Sequence, residues 1–316
     1  MIRLAAIAGP TASGKTGLAV YLAENFGGEV LSFDSMQLYR GMDIATAKPT
    51  PEEMRGIPHH MIDCVDPSER FSVVRYKEEA DRIIREITER GNLPVMVGGT
   101  GLYMDSVLEN INFLDAGENP EIRERLEREL SEKGPEDLYL RLKEIDPESA
   151  ERIHMNNTGR VIRALEIYES TGRTMTEQRE LSRREPSPYD PFYIGITARD
   201  RSLLYERTDK RIDMMLEKGL LSEALEFPES EPGRTAFQAI GIKEMLPYIR
   251  GEKTLEECTE RLKQATRNYA KRQLTWFRKN GKINWLYLED YDSPEAMHEA
   301  AAVMLEEAGF RRKTKR

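Results

Sequence analysis

The 316-residue sequence has two cysteines, Cys64 and Cys258, and four histidines. Two thiols cannot build a disulfide framework, and no Cys/His spacing suits a zinc site. His154 and His298 fit no metal pattern. No run of about 18 apolar residues occurs, which excludes a membrane-spanning helix. Positive charge is in deficit, with 47 Lys and Arg against 56 Asp and Glu and a net charge of −9. That balance argues against bulk attraction to nucleic acid, although a local basic surface stays open. The first apolar run begins at Arg3 and leaves no room for a signal peptide, so the expected compartment is a bacterial-type cytosol. There is no internal repeat and no long low-complexity linker. An N-K-x-D guanine-reading element is missing. The strand expected over Pro94–Val97 also lacks the terminal Asp that usually holds Mg²⁺ through water. Both absences argue against a nucleotide-hydrolysing switch.

What is present begins with Gly9-Pro10-Thr11-Ala12-Ser13-Gly14-Lys15-Thr16, a G-x-x-x-x-G-K-T phosphate-binding loop. Residues 3–8 before it read as a buried strand. Residues 16–26 after it read as a helix with Leu18, Leu22 and Phe26 on one face. Glycines let the loop amides turn inward, and the helix N-terminus adds partial positive charge. Lys15 is expected along the terminal phosphates and the Thr16 hydroxyl on Mg²⁺. Hydrolysis, phosphoryl transfer and displacement of a whole diphosphate all begin with such a cradle.

A second strand, residues 29–33, runs into Asp34-Ser35-Met36-Gln37. Ligands of open α/β sheets bind at the carboxyl ends of strands, so Asp34 is expected to face whatever sits on the phosphates. Residues 40–58 read as a loop, 72–90 as a helix, and 93–97 as a third strand entering Gly98-Gly99-Thr100-Gly101. From about residue 119 to 184 the chain is charged, helix-forming and poor in strand patterns. The expectation is therefore an α/β P-loop NTPase-like parallel sheet core, residues 1–114 and 190–316, with an inserted all-helical domain, residues 115–189. Residues 192–197 return to the sheet, 201–216 form a helix with Arg207 and Arg211 on one face, residues 283–288 form a last strand and 294–308 a last helix. Gln238 to Gly241 reads as a turn into a helix.

The sharpest charge feature runs from Arg261 to Lys282, with eight basic residues and no Asp or Glu. Arg267, Lys271 and Arg272 lie in it, with Tyr269, Trp276 and Phe277 interleaved. One reading is a phosphate-backbone surface. The other is a helix whose aromatics pack in the core and whose basic residues are merely solvated. A P-loop with an acid opposite it suits transfer chemistry. Three readings stay open on the residues alone: transfer chemistry at the phosphate loop, a small-molecule kinase of the P-loop class, and a non-catalytic RNA-binding protein on a P-loop scaffold.

The ordered blocks GPTASGKT (9–16), DSMQLYRGMDIATAK (34–48), HHMID (59–63), GGTGLY (98–103), NTGRVIRALE (157–166), ERTDKRIDMML (206–216), residues 238–244, and ATRNYAKRQLTWFR (265–278) resemble the tRNA dimethylallyltransferases of bacterial form. The first and last of the longer blocks, 34–48 and 265–278, are the specific ones. The resemblance implies transfer of a dimethylallyl group from dimethylallyl diphosphate to N6 of adenine 37, in tRNAs reading codons that begin with U, with Mg²⁺ as cofactor. It implies Asp34 as general base, Lys15 and Arg211 on the diphosphate (Arg207 second), and Thr16 on the metal. It places tRNA against Asp34, Ser35, Met36, Gln37, Thr100, Arg123, Gly159, Arg160, Val161, Ile162, Arg163, Gln238, Arg267, Lys271 and Arg272. The target base is expected to leave its stack and enter a channel, while the inserted helices grip the anticodon stem-loop by shape. His59 and His60 match a family block and are expected to be structural. A C-terminal zinc finger, found in eukaryotic relatives, has no Cys or His pairs here to build it. A monomer is expected.

Overall fold

The computed structural model describes residues 1–113, 119–227 and 236–313. The domain boundary drawn at 114/115 lies outside these. The described residues form two compact units, 1–108 with 188–316, and 109–187.

In chain order the first unit contains β1 (Ile2–Ala8), α1 (Lys15–Phe26), β2 (Gly28–Ser32), the single turn α2 (Pro51–Met54), β3 (His59–His60), α3 (Val73–Glu89), β4 (Leu93–Gly98) and α4 (Gly101–Leu108). The second unit is all helix: α5 (Pro120–Lys133), α6 (Pro135–Ile145), α7 (Pro147–Arg152), α8 (Thr158–Thr171) and α9 (Met175–Leu181). The first unit resumes with β5 (Tyr189–Thr197), α10 (Arg201–Glu217), α11 (Leu220–Leu225), α12 (Ile242–Ile249), α13 (Leu255–Phe277), β6 (Asn284–Tyr287) and α14 (Pro294–Glu307).

The six strands make one sheet in the order β3-β2-β4-β1-β5-β6, and every pairing is parallel. β1 lies inside it because its residues are apolar on both faces. Leu4, Ala6 and Ala8 point into one core with α3, α4, α12 and α13; Ala5 and Ile7 point into the other with α1 and α14. The chain leaves β1 toward β2 on one side and later adds β5 and β6 on the other. The carboxyl end of β1 thus opens into the crevice where the strand order reverses.

Two features differ from the sequence reading. The 40–58 loop contains the α2 turn, closed at its start by a Thr50–Glu53 capping box. His59 and His60 form an edge strand pairing with Val30 and Leu31. His60 Nε2 sits 2.7 Å from Glu29 Oε2, and Glu29 also takes Arg90 Nε (2.9 Å) and Asn92 Nδ2 (2.8 Å). The Arg90 hydrogen bond does most to pull the Glu29 carboxyl down to about 2, against the cost of its burial.

The helical unit has its own core of Leu126, Leu138, Leu142, Ala150, Ile153, Val161, Ile162, Ala164 and Leu165. Asp146 caps α7 through Ser149 N–H and also accepts from the Thr176 hydroxyl, fastening α9 to it.

Candidate active site

The loop of residues 9–16 joins β1 to α1. Gly14, at φ +94°, starts the helix in a left-handed conformation that favours glycine. The α1 N-terminus therefore opens directly onto the loop, with first-turn amides free for an anion. Ser13 Oγ is buried and has no hydrogen-bond partner among the described residues. An orphaned hydroxyl in a phosphate-binding loop fits an arriving phosphate oxygen. Lys15 Nζ donates to the Pro10 carbonyl at 2.6 Å.

Two arginines reach the loop from α10. Arg207 Nε donates to the Ala12 carbonyl at 2.9 Å and braces the loop from its exposed side. Arg211, one turn on, lies 3.5 Å from the Thr11 hydroxyl and 3.4 Å from the Ala47 carbonyl. Burial, with Arg211 adding to it and Asp34 opposing, lowers Lys15 to about 7. Arg211 is lowered too, first by burial, with Asp34 pulling the other way. Two buried cations crowded together, only partly offset by Asp34 and, at Arg211, Glu53, make a site that a polyanion would relieve.

Asp34 stands beyond the end of β2, opposite this cluster. Its Oδ1 accepts the Met36 N–H at 2.9 Å, a turn that leaves Oδ2 directed toward Gly99. Ser35 N–H donates to Thr100 Oγ1 at 3.0 Å, which ties the 34–37 turn to the glycine turn after β4. The phosphate side and the Asp34 side share one cavity of about 300 Å³, at the small end for ligand pockets. Thr11, Lys15, Thr16 and Arg211 line one part, Asp34, Ser35, Met36 and Gln37 another. Ile212, Met215, Ala239 and Leu262 supply apolar wall.

The IPP transferase family model matches residues 37–280. The chain belongs to that family. It is 50% identical over 291 residues to the tRNA dimethylallyltransferase of Acetivibrio thermocellus, covering 92% of this chain and 93% of the relative. It is 49% identical over 291 residues to that of Halalkalibacterium halodurans, covering 92% of each. The crystal structure of the full-length tRNA isopentenylpyrophosphate transferase from Bacillus halodurans aligns with a TM-score of 0.71 at 46% identity, over 97% of this chain and 98% of that one. A eukaryotic dimethylallyltransferase acting on tRNA aligns with a TM-score of 0.80 at 31% identity, over 100% of this chain and 82% of that one.

For an IPP transferase the cation question turns on donors. Among the described residues no cluster of three or more His, Cys, Asp or Glu could hold a metal ion. Thr16 does line the cavity beside the phosphate loop. One hydroxyl with phosphate oxygens and water suits Mg²⁺, which keeps much of its water and leans on substrate phosphates. The residues present therefore fit Mg²⁺ arriving with a diphosphate.

The residues assigned to tRNA separate on the structure. Thr100 and Gln238 stand at the site, and Arg272 lines the cavity rim. Lys271 is exposed on α13, where it faces a shallow groove with Arg201 and Arg278. Arg267 is bound to Asp209 at 2.6 Å. In the helical unit Gly159 and Arg160 are exposed at the start of α8. Arg123 and Arg163 converge on the buried Glu166, at 3.5 and 3.0 Å. Val161 and Ile162 are 1% and 3% exposed in the helical core, so they offer a ligand backbone and no side chain. The aromatics of the basic run also turn inward: Phe277 is fully buried, Trp276 Nε1 donates to Asp105 at 2.8 Å, and half-buried Tyr269 lines the cavity. Burial and the Asp34 charge raise the Tyr269 phenol, which stays protonated.

Two residues at this IPP transferase site had no role assigned from the sequence. Glu223 on α11 accepts the backbone N–H groups of Asp43 (2.8 Å), Ile44 (2.7 Å) and Ala45 (2.8 Å), so it holds the loop whose residues 45–47 wall the cavity. Gln273 on α13 accepts the Thr11 N–H at 2.9 Å and donates to the Gly99 carbonyl at 3.0 Å.

Proposed function

We infer that this chain is a tRNA dimethylallyltransferase. It moves the dimethylallyl group of dimethylallyl diphosphate to N6 of adenine 37, in tRNAs that read codons beginning with U, and releases diphosphate. The observation that carries this reading is the single cavity with a cationic phosphate loop at one part and a carboxylate at the other. The names of the relatives favour it over a small-molecule kinase or a non-catalytic RNA binder.

The chemistry follows from the charges. Adenine N6 is a weak nucleophile because its lone pair is delocalised into the ring, so the allylic carbon must be strongly electrophilic. Lys15, Arg211 and the loop amides stabilise charge as it gathers on the departing diphosphate. The N6 lone pair forms the C–N bond, the C–O bond breaks, and its electron pair leaves with the diphosphate. The N6 proton passes to Asp34, which lines the same cavity and accepts hydrogen bonds from an amine. Bound through Thr16, Mg²⁺ would supply further neutralisation of the diphosphate. Apolar wall from Ile212, Met215 and Leu262 suits a five-carbon chain. The base enters flipped from its stack, the helical unit holds the anticodon stem-loop through Gly159, Arg160 and neighbouring backbone, and one chain supplies the whole cavity, so a monomer suffices.

The deciding experiment is mass analysis of unmodified tRNA incubated with the chain, Mg²⁺ and dimethylallyl diphosphate, beside a tube with ATP alone. A gain of one five-carbon unit on adenosine with ATP untouched is expected. ATP turnover onto a small acceptor, without prenylation, would overturn the reading.

A further inference from the structure

One stripe of α13 faces the site. Tyr269, Gln273 and Trp276 lie four and three residues apart and share a helix face. Tyr269 and Gln273 line the cavity, and Trp276 packs on the glycine turn next to it. Trp276 packs so closely on the glycine turn that a Cβ at Gly101 would stand 2.2 Å from its ring. Tyr269 stands beside Thr100 and Gln273, both of which moderate the upward push of burial on its phenol. Gln273 is 5% exposed, and a Cβ at Gly99 would stand 2.1 Å from its amide nitrogen.

Gln273 is placed differently from its two neighbours. Its two bonds go to different halves of the site: Oε1 to the Thr11 N–H of the phosphate loop, Nε2 to the Gly99 carbonyl of the turn that carries Thr100. Thr100 in turn holds Ser35, next to Asp34. A chain of hydrogen bonds thus runs from the diphosphate cradle through one amide to the proposed base. We propose that Gln273 is a positioning residue that sets the distance between the leaving-group end and the nucleophile end of the cavity.

The chemistry of the side chain supports this. The span needs an acceptor at one end and a donor at the other, both buried, and an uncharged amide supplies both. Any apolar replacement leaves a buried N–H and a buried carbonyl without partners. Neither bond goes to a substrate, so binding of each substrate alone does not require Gln273. The transition state does, because the reacting carbon must meet N6 at a fixed separation. A misplacement of about 1 Å is enough to lower a rate by about 100-fold.

The inference rests on the transferase reading, and wild-type prenyl transfer measured in parallel tests that reading separately. Full-length Gln273→Met and Gln273→Glu chains are compared with wild type for kcat and KM, for binding of inorganic pyrophosphate and of unmodified tRNA, and for Tm. In Gln273→Met, kcat is expected to fall about 100-fold, with both KM values and both affinities close to wild type and Tm lowered by only a few degrees for the two groups left unpaired. Gln273→Glu adds a pH readout, because a protonated carboxyl again donates to the Gly99 carbonyl and accepts from Thr11. Asp34 and Tyr269 face this position, with Arg272 beside it on the helix, and Lys15, lowered to about 7 by burial, changes charge within the same pH window in the wild type. The quantity to follow is therefore the ratio of variant to wild-type kcat, which is expected to rise as pH is lowered from about 8.5 to about 6. A Gln273→Met chain with wild-type kcat overturns the proposal. So does one that loses Tm, both affinities and kcat together, as does a Gln273→Glu ratio that stays flat with pH.

Discussion

Glu223 Oε1 accepts the backbone N–H of Ala45 at 2.8 Å, across 178 residues of sequence. With its second oxygen on Asp43 and Ile44, one carboxylate organises three successive amides of a cavity wall. Glu223→Gln places an NH₂ group against donors. Hydrogen bonds to a charged group contribute about 1.5–3 kcal/mol each, so local opening should become much easier. Amide exchange at residues 43–45 is expected to quicken by at least about tenfold, with kcat/KM for prenyl transfer falling alongside. Unchanged exchange there would show that Lys48, which also holds this loop through Tyr39 and Asp43, suffices alone.

Asp34→Ala removes the group proposed to take the N6 proton. Transfer is expected to drop about 10²–10⁴-fold, while tRNA binding, measured by filter retention, survives. Full activity in this variant would remove Asp34 from the role of base.

Lys15→Ala should weaken inorganic pyrophosphate binding far more than tRNA binding, because Lys15 belongs to the phosphate loop and its ammonium is buried there, bonded to the Pro10 carbonyl. Charge reversal at Lys271 and Arg272 should do the opposite. The slope of log affinity for tRNA against log salt is expected to flatten by about one for each phosphate that the variant no longer neutralises.

Glu29 makes stability depend on acid. Its folded-state carboxyl is depressed to about 2, whereas an unfolded glutamate titrates near ~4.3. A depressed carboxylate stabilises the fold above its unfolded value, and that contribution is lost as pH falls through the folded one. Thermal unfolding between about pH 5 and about pH 2 should therefore show a Glu29-dependent loss of Tm. Glu29→Gln is expected to lower Tm near neutrality and to flatten the slope over that window. Parallel slopes for the two chains would contradict the assignment.

These predictions draw on residues of very different legibility. The phosphate loop and Asp34 are readable because contiguous residues build them, and the spacing of Arg207 and Arg211 places both on the helix face that meets the loop. Glu223 and Gln273 are not, since a Glu or Gln in a helix reads as an ordinary solvated residue. Only the distant strand ends that fold against them reveal what they hold. His59 and His60 escape detection as a strand because two residues carry no periodicity; their pairing is imposed by β2. Val161 and Ile162 show the limit of treating a motif as a continuous surface, since their side chains pack in the helical core and leave only backbone to a ligand. Adjacent residues on a helix face different ways, and Val161, Ile162 and Leu165 already carry the pattern of a core.

That same angular rule gives α13 a use beyond holding the sheet. From residue 269 to 278 the inward Tyr269 and Gln273 line the cavity, Lys271, Thr275 and Arg278 meet solvent, and Arg272 does both. Moving round the helix from one face to the other therefore exchanges an effect on turnover for an effect on affinity. A substitution series through it would oscillate between the two with the helical repeat of 3.6 residues, so that rate and RNA affinity can drift separately in evolution although one short helix encodes both.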